Sequence, residues 1–77
     1  MTKITAMDYV EVMKDVYRQV SKASNAELEQ TWIDLNHSKT TRMAAMKRYG
    51  WTPDKKWNHG DLRNAIREEW VYRQCDN

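Results

Sequence analysis

The chain has 77 residues, of which 40% are hydrophobic and 31% charged, and it contains four Trp, four Tyr, two Gly, one Pro and one Cys. This length predicts a single domain over residues 1–77, because a second hydrophobic core would not fit. The composition excludes a collagen, a disulfide scaffold, a membrane span and most turn-rich all-β folds. A membrane partner is therefore not expected.

The net charge of +2 hides an uneven distribution along the chain. Residues 1–36 carry four Lys or Arg and six Asp or Glu, whereas residues 37–77 carry nine and five. Between residues 37 and 67 the basic side chains are Lys39, Arg42, Lys47, Arg48, Lys55, Lys56, Arg63 and Arg67. Only Asp54 and Asp61 oppose them there. Such an excess attracts acidic partners, nucleic acid above all, although small domains also acquire uneven charge by chance.

The first predicted element is a helix over residues 6–22. Thr5 and Asp8 have the spacing of a capping box, in which a hydroxyl and a carboxylate bind the free amides at a helix start. Apolar residues then recur at steps of three and four, which is the helical period. They are Ala6, Val10, Met13, Tyr17 and Val20, with Tyr9, Val12 and Val16 beside them.

Two serines predict the next two helices. Ser24 and Glu27 form a full Ser-x-x-Glu capping box before an apolar row, so the second helix is expected to run to about Asn36. Ser38 can cap a third helix, which should stop at Gly50 because glycine tolerates the left-handed conformation that follows many helices. The connection between these two helices is about three residues long.

Two further elements complete an all-α bundle of about four helices. Thr52 followed by Pro53 has the chemistry of a helix start and predicts a single helical turn to about Trp57. Leu62, Ala65, Ile66 and Trp70 mark a last helix from about Asp61 to Arg73. The charged side chains of that helix are predicted to form a solvated outer face. They are Arg63, Arg67, Glu68, Glu69 and Arg73.

The second and third helices have the layout of a helix-turn-helix, in which the second helix of the pair enters a DNA groove. Hydroxyl and basic side chains at its first turn can bind phosphates and base edges. The residues predicted to contact nucleic acid are Ser38, Lys39, Thr41, Arg42, Lys47, Arg48, Lys55 and Lys56. Any small helical bundle also contains two helices joined by a short turn, and the usual turn glycine is missing here.

An aromatic and basic cluster supports an alternative function. Trp51 and Trp57 flank Lys55 and Lys56, a combination found at protein-binding hot spots. Their rings are equally suited to closing the end of a small core, which needs large side chains. If exposed, Trp51 and Trp57 would form a protein interface against an acidic partner surface.

Catalysis and metal binding are not expected. His37, His59 and Cys75 are separated by 22 and 16 residues and lack the close spacing of a zinc site. The sequence has no glycine-rich phosphate loop and no nucleophile spaced to meet a base. We therefore predict a protein that is not an enzyme and that carries no cofactor.

Two functions remain as hypotheses. The first is a small nucleic-acid-binding regulatory module of helix-turn-helix type, with DNA favoured. The alternative is a small adaptor or inhibitor, such as a phage protein that blocks a host enzyme. The single cysteine and the absence of an apolar run in residues 1–8 predict a cytoplasmic location. The thin core is consistent with a homodimer as well as a monomer.

Overall fold

The structure is a computed structural model that describes the backbone of residues 6–75 and the side chains of residues 9–74. The described backbone contains four helices and no strand. The helices are α1 (Ala6–Lys22), α2 (Asn25–Leu35), α3 (Lys39–Arg48) and α4 (His59–Cys75). The predicted all-α bundle of four helices is confirmed.

Helix α1 has the predicted bounds. The predicted capping side chains of Thr5 and Asp8 lie outside the described residues. Its buried row consists of Met13, Val16 and Val20. Val10 belongs to the predicted apolar stripe, yet it is 62% exposed. The core-facing part of α1 therefore begins about one turn later than the sequence pattern predicts.

Both predicted serine caps are present. Ser24 Oγ accepts a hydrogen bond from the Glu27 amide at 3.1 Å, and Glu27 Oε1 accepts one from the Ser24 amide at 3.2 Å. This capping box starts α2, and Ser38 is the N-cap of α3. Gly50 follows α3 with φ at +92°, a conformation in which a side chain would strain the backbone. Residues 36–38 form the predicted short connection.

The predicted helical turn after Pro53 is wrong. Residues 53 and 54 form only a turn, closed by a 2.9 Å hydrogen bond from the Lys55 amide to the Thr52 carbonyl. Trp57 is drawn into the core and is 4% exposed. Trp51 Nε1 donates to the Trp57 carbonyl at 2.9 Å. Because the chain turns inward to bury Trp57, it does not continue as a helix.

Helix α4 begins at His59, two residues before the predicted start at Asp61. Asn58 Oδ1 accepts from the Gly60 amide at 2.9 Å and from the Asp61 amide at 3.2 Å. Asp61 Oδ2 in turn accepts from the Asn58 amide at 2.9 Å. This reciprocal arrangement is the capping-box geometry built with Asn and Asp. Asp61 is therefore the third residue of α4.

Helices α1 and α4 pack side by side and run in the same direction. Near their starts, Tyr9 lies close enough to Asp61 for the carboxylate to act on its hydroxyl. Burial, Tyr17 and Asp61 together raise the pKa of Tyr9 to about 12. Near their ends, Arg73 Nη2 donates to the Ala23 carbonyl at 2.7 Å. The first and last described helices thus share one long contact.

Helix α2 runs opposite to α4. Arg73 near the end of α4 binds Asn25 at the start of α2, with Nη1 and Oδ1 2.6 Å apart. Trp70, one turn earlier in α4, packs on Trp32, two turns later in α2. Their ring centroids are 5.3 Å apart and the rings are tilted by 48°. This aromatic contact covers the seam between the two helices.

All four helices contribute to one core. Its buried members are Met13, Val16, Val20, Leu28, Leu35, Ala45, Met46, Tyr49, Trp57, Leu62, Ala65 and Ile66. Thr31 is the buried polar residue, and its hydroxyl donates to the Glu27 carbonyl at 2.8 Å. A hydroxyl has one hydrogen, so Tyr49 must be the donor in the 3.1 Å contact between Tyr49 Oη and Thr31 Oγ1.

Candidate nucleic-acid interface

The first turn of α3 is organised by its own hydroxyl groups. Ser38 Oγ accepts from the Thr41 amide at 3.3 Å and donates to Thr41 Oγ1 at 3.0 Å. Ser38 is exposed and Thr41 is half-buried. Both residues predicted as nucleic-acid contacts therefore serve first as the cap that starts the helix. The remaining lone pairs of the two hydroxyl oxygens can accept hydrogen bonds. The hydroxyl proton of Ser38, however, is already donated to Thr41.

One face of α3 is open to solvent. Its exposed residues are Lys39, Thr40, Ala44 and Lys47, with Met43 half-buried among them. The steps from Thr40 to Ala44 and then to Lys47 are four and three residues, so these side chains share one face. Within the described part of the chain, no carboxylate forms an ion pair with Lys39 or Lys47. This face carries free positive charge beside two small side chains.

Arg42 does not belong to that exposed face. It precedes the buried residues Ala45, Met46 and Tyr49 by three, four and seven positions, so it lies on the side of α3 that faces the core. The Arg42 side chain is half-buried. It therefore lies away from the side of α3 that carries Thr40, Ala44 and Lys47.

Arg48 ties α3 to α2. Its Nη2 lies 2.9 Å from Asp34 Oδ2, and Gln30 Nε2 donates to Asp34 Oδ1 at 3.0 Å. The hydrogen bond from Arg48 is the main cause that lowers the pKa of Asp34, followed by the hydrogen bond from Gln30. Arg48 keeps about half of its side chain exposed, at 51%. It is predicted as a phosphate contact, but its observed partner is a carboxylate.

The loop lysines lie at the other end of α3. Lys55 and Lys56 are exposed. Lys55 lines a shallow cleft with Asp15 and Arg18 of α1 and with Tyr49. Tyr49 is ten residues beyond Lys39, which corresponds to about 15 Å along a helix axis. Lys55 therefore lies near the end of α3 that carries Lys47 and Arg48, and far from Lys39 at its start.

The structure separates the roles of the two tryptophans in the loop. Trp57 is buried, whereas Trp51 is half-buried and packs against the core. The Trp57 ring has too little exposed surface to contact a partner in this fold. Trp51 retains some exposed surface.

A basic cluster that sequence reasoning missed lies where α3 and α4 begin. Arg42 from α3 and Arg63 from α4 both act on the His59 imidazole. Burial is the main cause that lowers the pKa of His59, followed by the charges of Arg42 and Arg63. Arg63 is half-buried, although it was predicted on a solvated outer face. Its spacing of three residues before the buried Ile66 was the available indication.

The two arginines share an unusual feature. The Nε atoms of Arg42 and Arg63 are buried and have no hydrogen-bond partner within the described residues. The salt bridges of the described side chains join other residues, so neither guanidinium has a carboxylate partner there. A buried donor without a partner costs free energy, and neither Nε atom contributes a hydrogen bond to the described fold.

Arg73 also departs from the predicted solvated face. Its Nε donates to Glu69 Oε2 at 2.8 Å, and its Nη2 reaches the Ala23 carbonyl. It thereby binds the carbonyl end of α1, where a cation is favoured by the helix dipole. The guanidinium of Arg73 is therefore used in hydrogen bonds within the fold.

A second surface is apolar. Ile33 follows Trp32 in α2, and Val71 follows Trp70 in α4. Ile33 is 50% exposed and Val71 is 55% exposed. Each lies about 100° around its helix from the tryptophan that forms the aromatic contact, because consecutive residues in an α-helix are rotated by that amount. The two side chains flank the Trp32 and Trp70 pair.

The described residues contain no group of three or more His, Cys, Asp or Glu side chains placed to hold a metal ion. Among the helices that the structure describes, none has the length and apolar character needed to cross a membrane. Comparison of the chain with protein-family models, curated proteins and solved structures finds no match.

Proposed function

We propose that the protein binds nucleic acid, with DNA favoured, and that the exposed face of α3 is the contact surface. The observation that carries this proposal is the solvent face formed by Lys39, Thr40, Ala44 and Lys47. It combines cations free of carboxylate partners in the described residues with side chains small enough for close approach. This is the composition that a helix needs to enter the major groove.

The distribution of carboxylates supports the proposal. Asp34 is bound to Arg48, and Asp61 is bound to the Asn58 amide at the start of α4. Glu69 is bound to Arg73. These three carboxylates are thus used within the fold, while Lys39 and Lys47 form no ion pair among the described residues. A phosphate backbone would be attracted to these lysines, and binding would release counterions.

The layout of α2 and α3 favours duplex DNA. The two helices are joined by residues 36–38, and α3 begins with a serine cap that fixes its first turn. In a helix-turn-helix, the second helix presents its N-terminal residues to base edges. Here Thr40 and Ala44 can contact thymine methyl groups, and the lysines can bind phosphates or guanine. A regulatory role requires that this contact be sequence-selective.

The test is a fluorescence anisotropy titration of labelled duplex DNA at several salt concentrations. The unmodified protein should bind with an affinity that falls steeply as salt rises. A variant carrying Lys39→Gln and Lys47→Gln should bind more weakly, and its salt slope should be smaller by about 2, because each phosphate contact contributes about 0.9. Selection from random duplexes then measures sequence preference.

The matched control removes two lysines from α1. Lys14 and Lys22 are exposed, so Lys14→Gln with Lys22→Gln removes the same charge from another surface. This control should keep most of the affinity and most of the salt slope. Equal losses in the two double variants would show that binding follows net charge alone. Absence of binding at low salt would overturn the proposal.

A different observation favours the second candidate, an adaptor or inhibitor that binds protein. The exposed Ile33 and Val71 flank the Trp32 and Trp70 pair, and together these residues form an apolar surface with large aromatic rings. Arg67, one turn before Trp70, is exposed and favours an acidic partner. Ile33→Asp should abolish such a complex and leave DNA binding unchanged. Loss of both activities would indicate unfolding.

A further inference from the structure

The seam between α2 and α4 carries apolar side chains that remain open to solvent. Trp32 and Trp70 are half-buried and meet in this seam, with ring centroids 5.3 Å apart. Ile33 and Val71 flank the two rings and are 50% and 55% exposed. A contiguous apolar surface of this kind, unlike a single exposed side chain, marks a place where another molecule binds.

Two charges of opposite sign lie on the same surface. Glu29 precedes Ile33 by four residues in α2, so the two side chains share one helix face. Arg67 has the same relation to Val71 in α4. Both charged side chains are exposed, and neither forms an ion pair among the described residues. The surface is therefore acidic on its α2 side and basic on its α4 side.

We propose that two copies of the chain form a symmetric dimer through this surface, which we call the dimer patch. Its members are Glu29, Trp32, Ile33, Arg67, Trp70 and Val71. The inference goes beyond the proposed function and does not rest on it. A two-fold interface joins the same patch of both copies, so every contact between two different residues occurs twice. When the two-fold axis runs along the helices, α2 of each copy lies opposite α4 of the other.

The charges favour a second copy over other occupants. With α2 opposite α4, the acidic side of each copy meets the basic side of the other, and Glu29 is attracted to Arg67 of the second copy. Pairing of α2 with α2 would instead place like charges together. An acidic foreign protein would be attracted by Arg67 and repelled by Glu29. A second copy meets both charges with their opposites.

Analytical ultracentrifugation of the full chain from about 5 μM to about 500 μM tests the proposal, because a dimer gains population with concentration. The unmodified protein should be dimeric at the highest concentration. A chain that stays monomeric there, or that assembles beyond two copies, would overturn the proposal. A monomer would leave the patch to a different protein.

An apolar residue of the patch supplies the first variant. Ile33→Asp should weaken the dimer about tenfold or more, because it buries a carboxylate against apolar side chains. Val10→Asp is the matched control, since Val10 is 62% exposed on α1 and lies outside the dimer patch. The control should leave the dimer unchanged. Equal losses in the two variants would show that association follows general apolar exposure, and the patch would be wrong.

Charge reversal tests the pairing of α2 with α4. Glu29→Arg and Arg67→Glu each place like charges across the interface twice, so each should weaken the dimer about tenfold or more. The double variant should dimerise again. The two single variants should also form a heterodimer when mixed, because one chain then carries two basic charges in the patch and the other two acidic ones. Circular dichroism checks that each variant folds. Folded variants whose association does not depend on these charges would refute the proposal.

The dimer and the nucleic-acid contact can fail independently. Lys39→Gln with Lys47→Gln changes the exposed face of α3 and leaves the dimer patch intact, so it should weaken DNA binding without changing the oligomeric state. Salt-dependent DNA binding by a protein that is monomeric throughout would overturn the dimer alone.

Discussion

Arg73 joins parts of the chain that lie far apart in sequence. Its guanidinium binds Glu69 one turn earlier in α4, Asn25 at the start of α2 and the Ala23 carbonyl after α1. The residue is about three-quarters buried, since 26% of its side chain is exposed. Loss of its hydrogen bonds would leave carbonyl groups at the end of α1 without partners.

We expect Arg73→Ala to lower the free energy of unfolding by about 2 kcal/mol, the typical cost of removing charge-assisted hydrogen bonds to partly buried groups. Urea unfolding followed by circular dichroism measures this change. Arg67→Ala is the control, because Arg67 is exposed on the same helix. If both substitutions cost the same, the cap that Arg73 provides contributes little to stability.

Individual residues show which roles local sequence can predict. The inward position of Arg42 follows from its spacing to Ala45, Met46 and Tyr49, so the pattern of α3 already contained it. The hydrogen bond from Tyr49 to Thr31 and the contacts of Arg73 were not predictable in this way. They join residues 18 and 50 positions apart, and no local periodicity relates such residues.

Helix boundaries were predictable wherever the capping chemistry was local. The serine caps of α2 and α3 were predicted because each binds an amide three residues later. Asn58 performs the same task for α4, although the apolar spacing of that helix predicts a start at Asp61. The turn at Pro53 has the sequence of a helix start, yet burial of Trp57 redirects the chain. Tertiary packing overrode the local pattern there.

We expect Ser24→Ala to destabilise the protein by about 1 kcal/mol, because the first turn of α2 loses the side-chain acceptor of its capping box. Ser21→Ala is the matched control. Ser21 is an exposed serine whose hydroxyl donates to the Arg18 carbonyl within α1. Thermal unfolding should show a lower midpoint for the Ser24 variant alone. Equal midpoints would mean that the cap at Ser24 does not limit stability.

At the scale of the molecule, the pairing of helices decides where the functional groups meet. The sequence predicted how many helices there are, but not that α1 and α4 run in the same direction. Nor did it predict that the starts of α3 and α4 come together. That junction brings the charge of Arg42 within range of His59. The basic region between residues 37 and 67 is therefore divided in space, with Lys55 at the far end of α3.

The small core depends on large aromatic rings, so removing one of them should lower the stability of the whole domain. Trp57→Ala should cost about 3 to 5 kcal/mol through lost burial and the cavity left behind. A 77-residue domain has a total stability of roughly 4 to 12 kcal/mol. The variant should therefore lose a large part of that stability, as judged by a urea midpoint well below that of the unmodified protein.

Trp51→Ala is the comparison for Trp57→Ala. Trp51 is half-buried, and its Nε1 bonds the Trp57 carbonyl, so its removal should cost less and leave the cooperative transition intact. If Trp57→Ala unfolded as cooperatively as Trp51→Ala with a similar midpoint, the Trp57 ring would not be a core residue. It would then return as a candidate contact for a protein partner.

The long contact between α1 and α4 also governs how the chain is completed during synthesis. The ribosome makes α1 before α4. The carbonyls at the end of α1 therefore lack the hydrogen bonds from Arg73 until that residue is made, about 50 residues later. The pair of α2 and α3, joined by a short turn, can form in the meantime from neighbouring contacts. A nascent chain that stalls before Arg73 exposes the apolar row of α1 and becomes a substrate for chaperones or proteases.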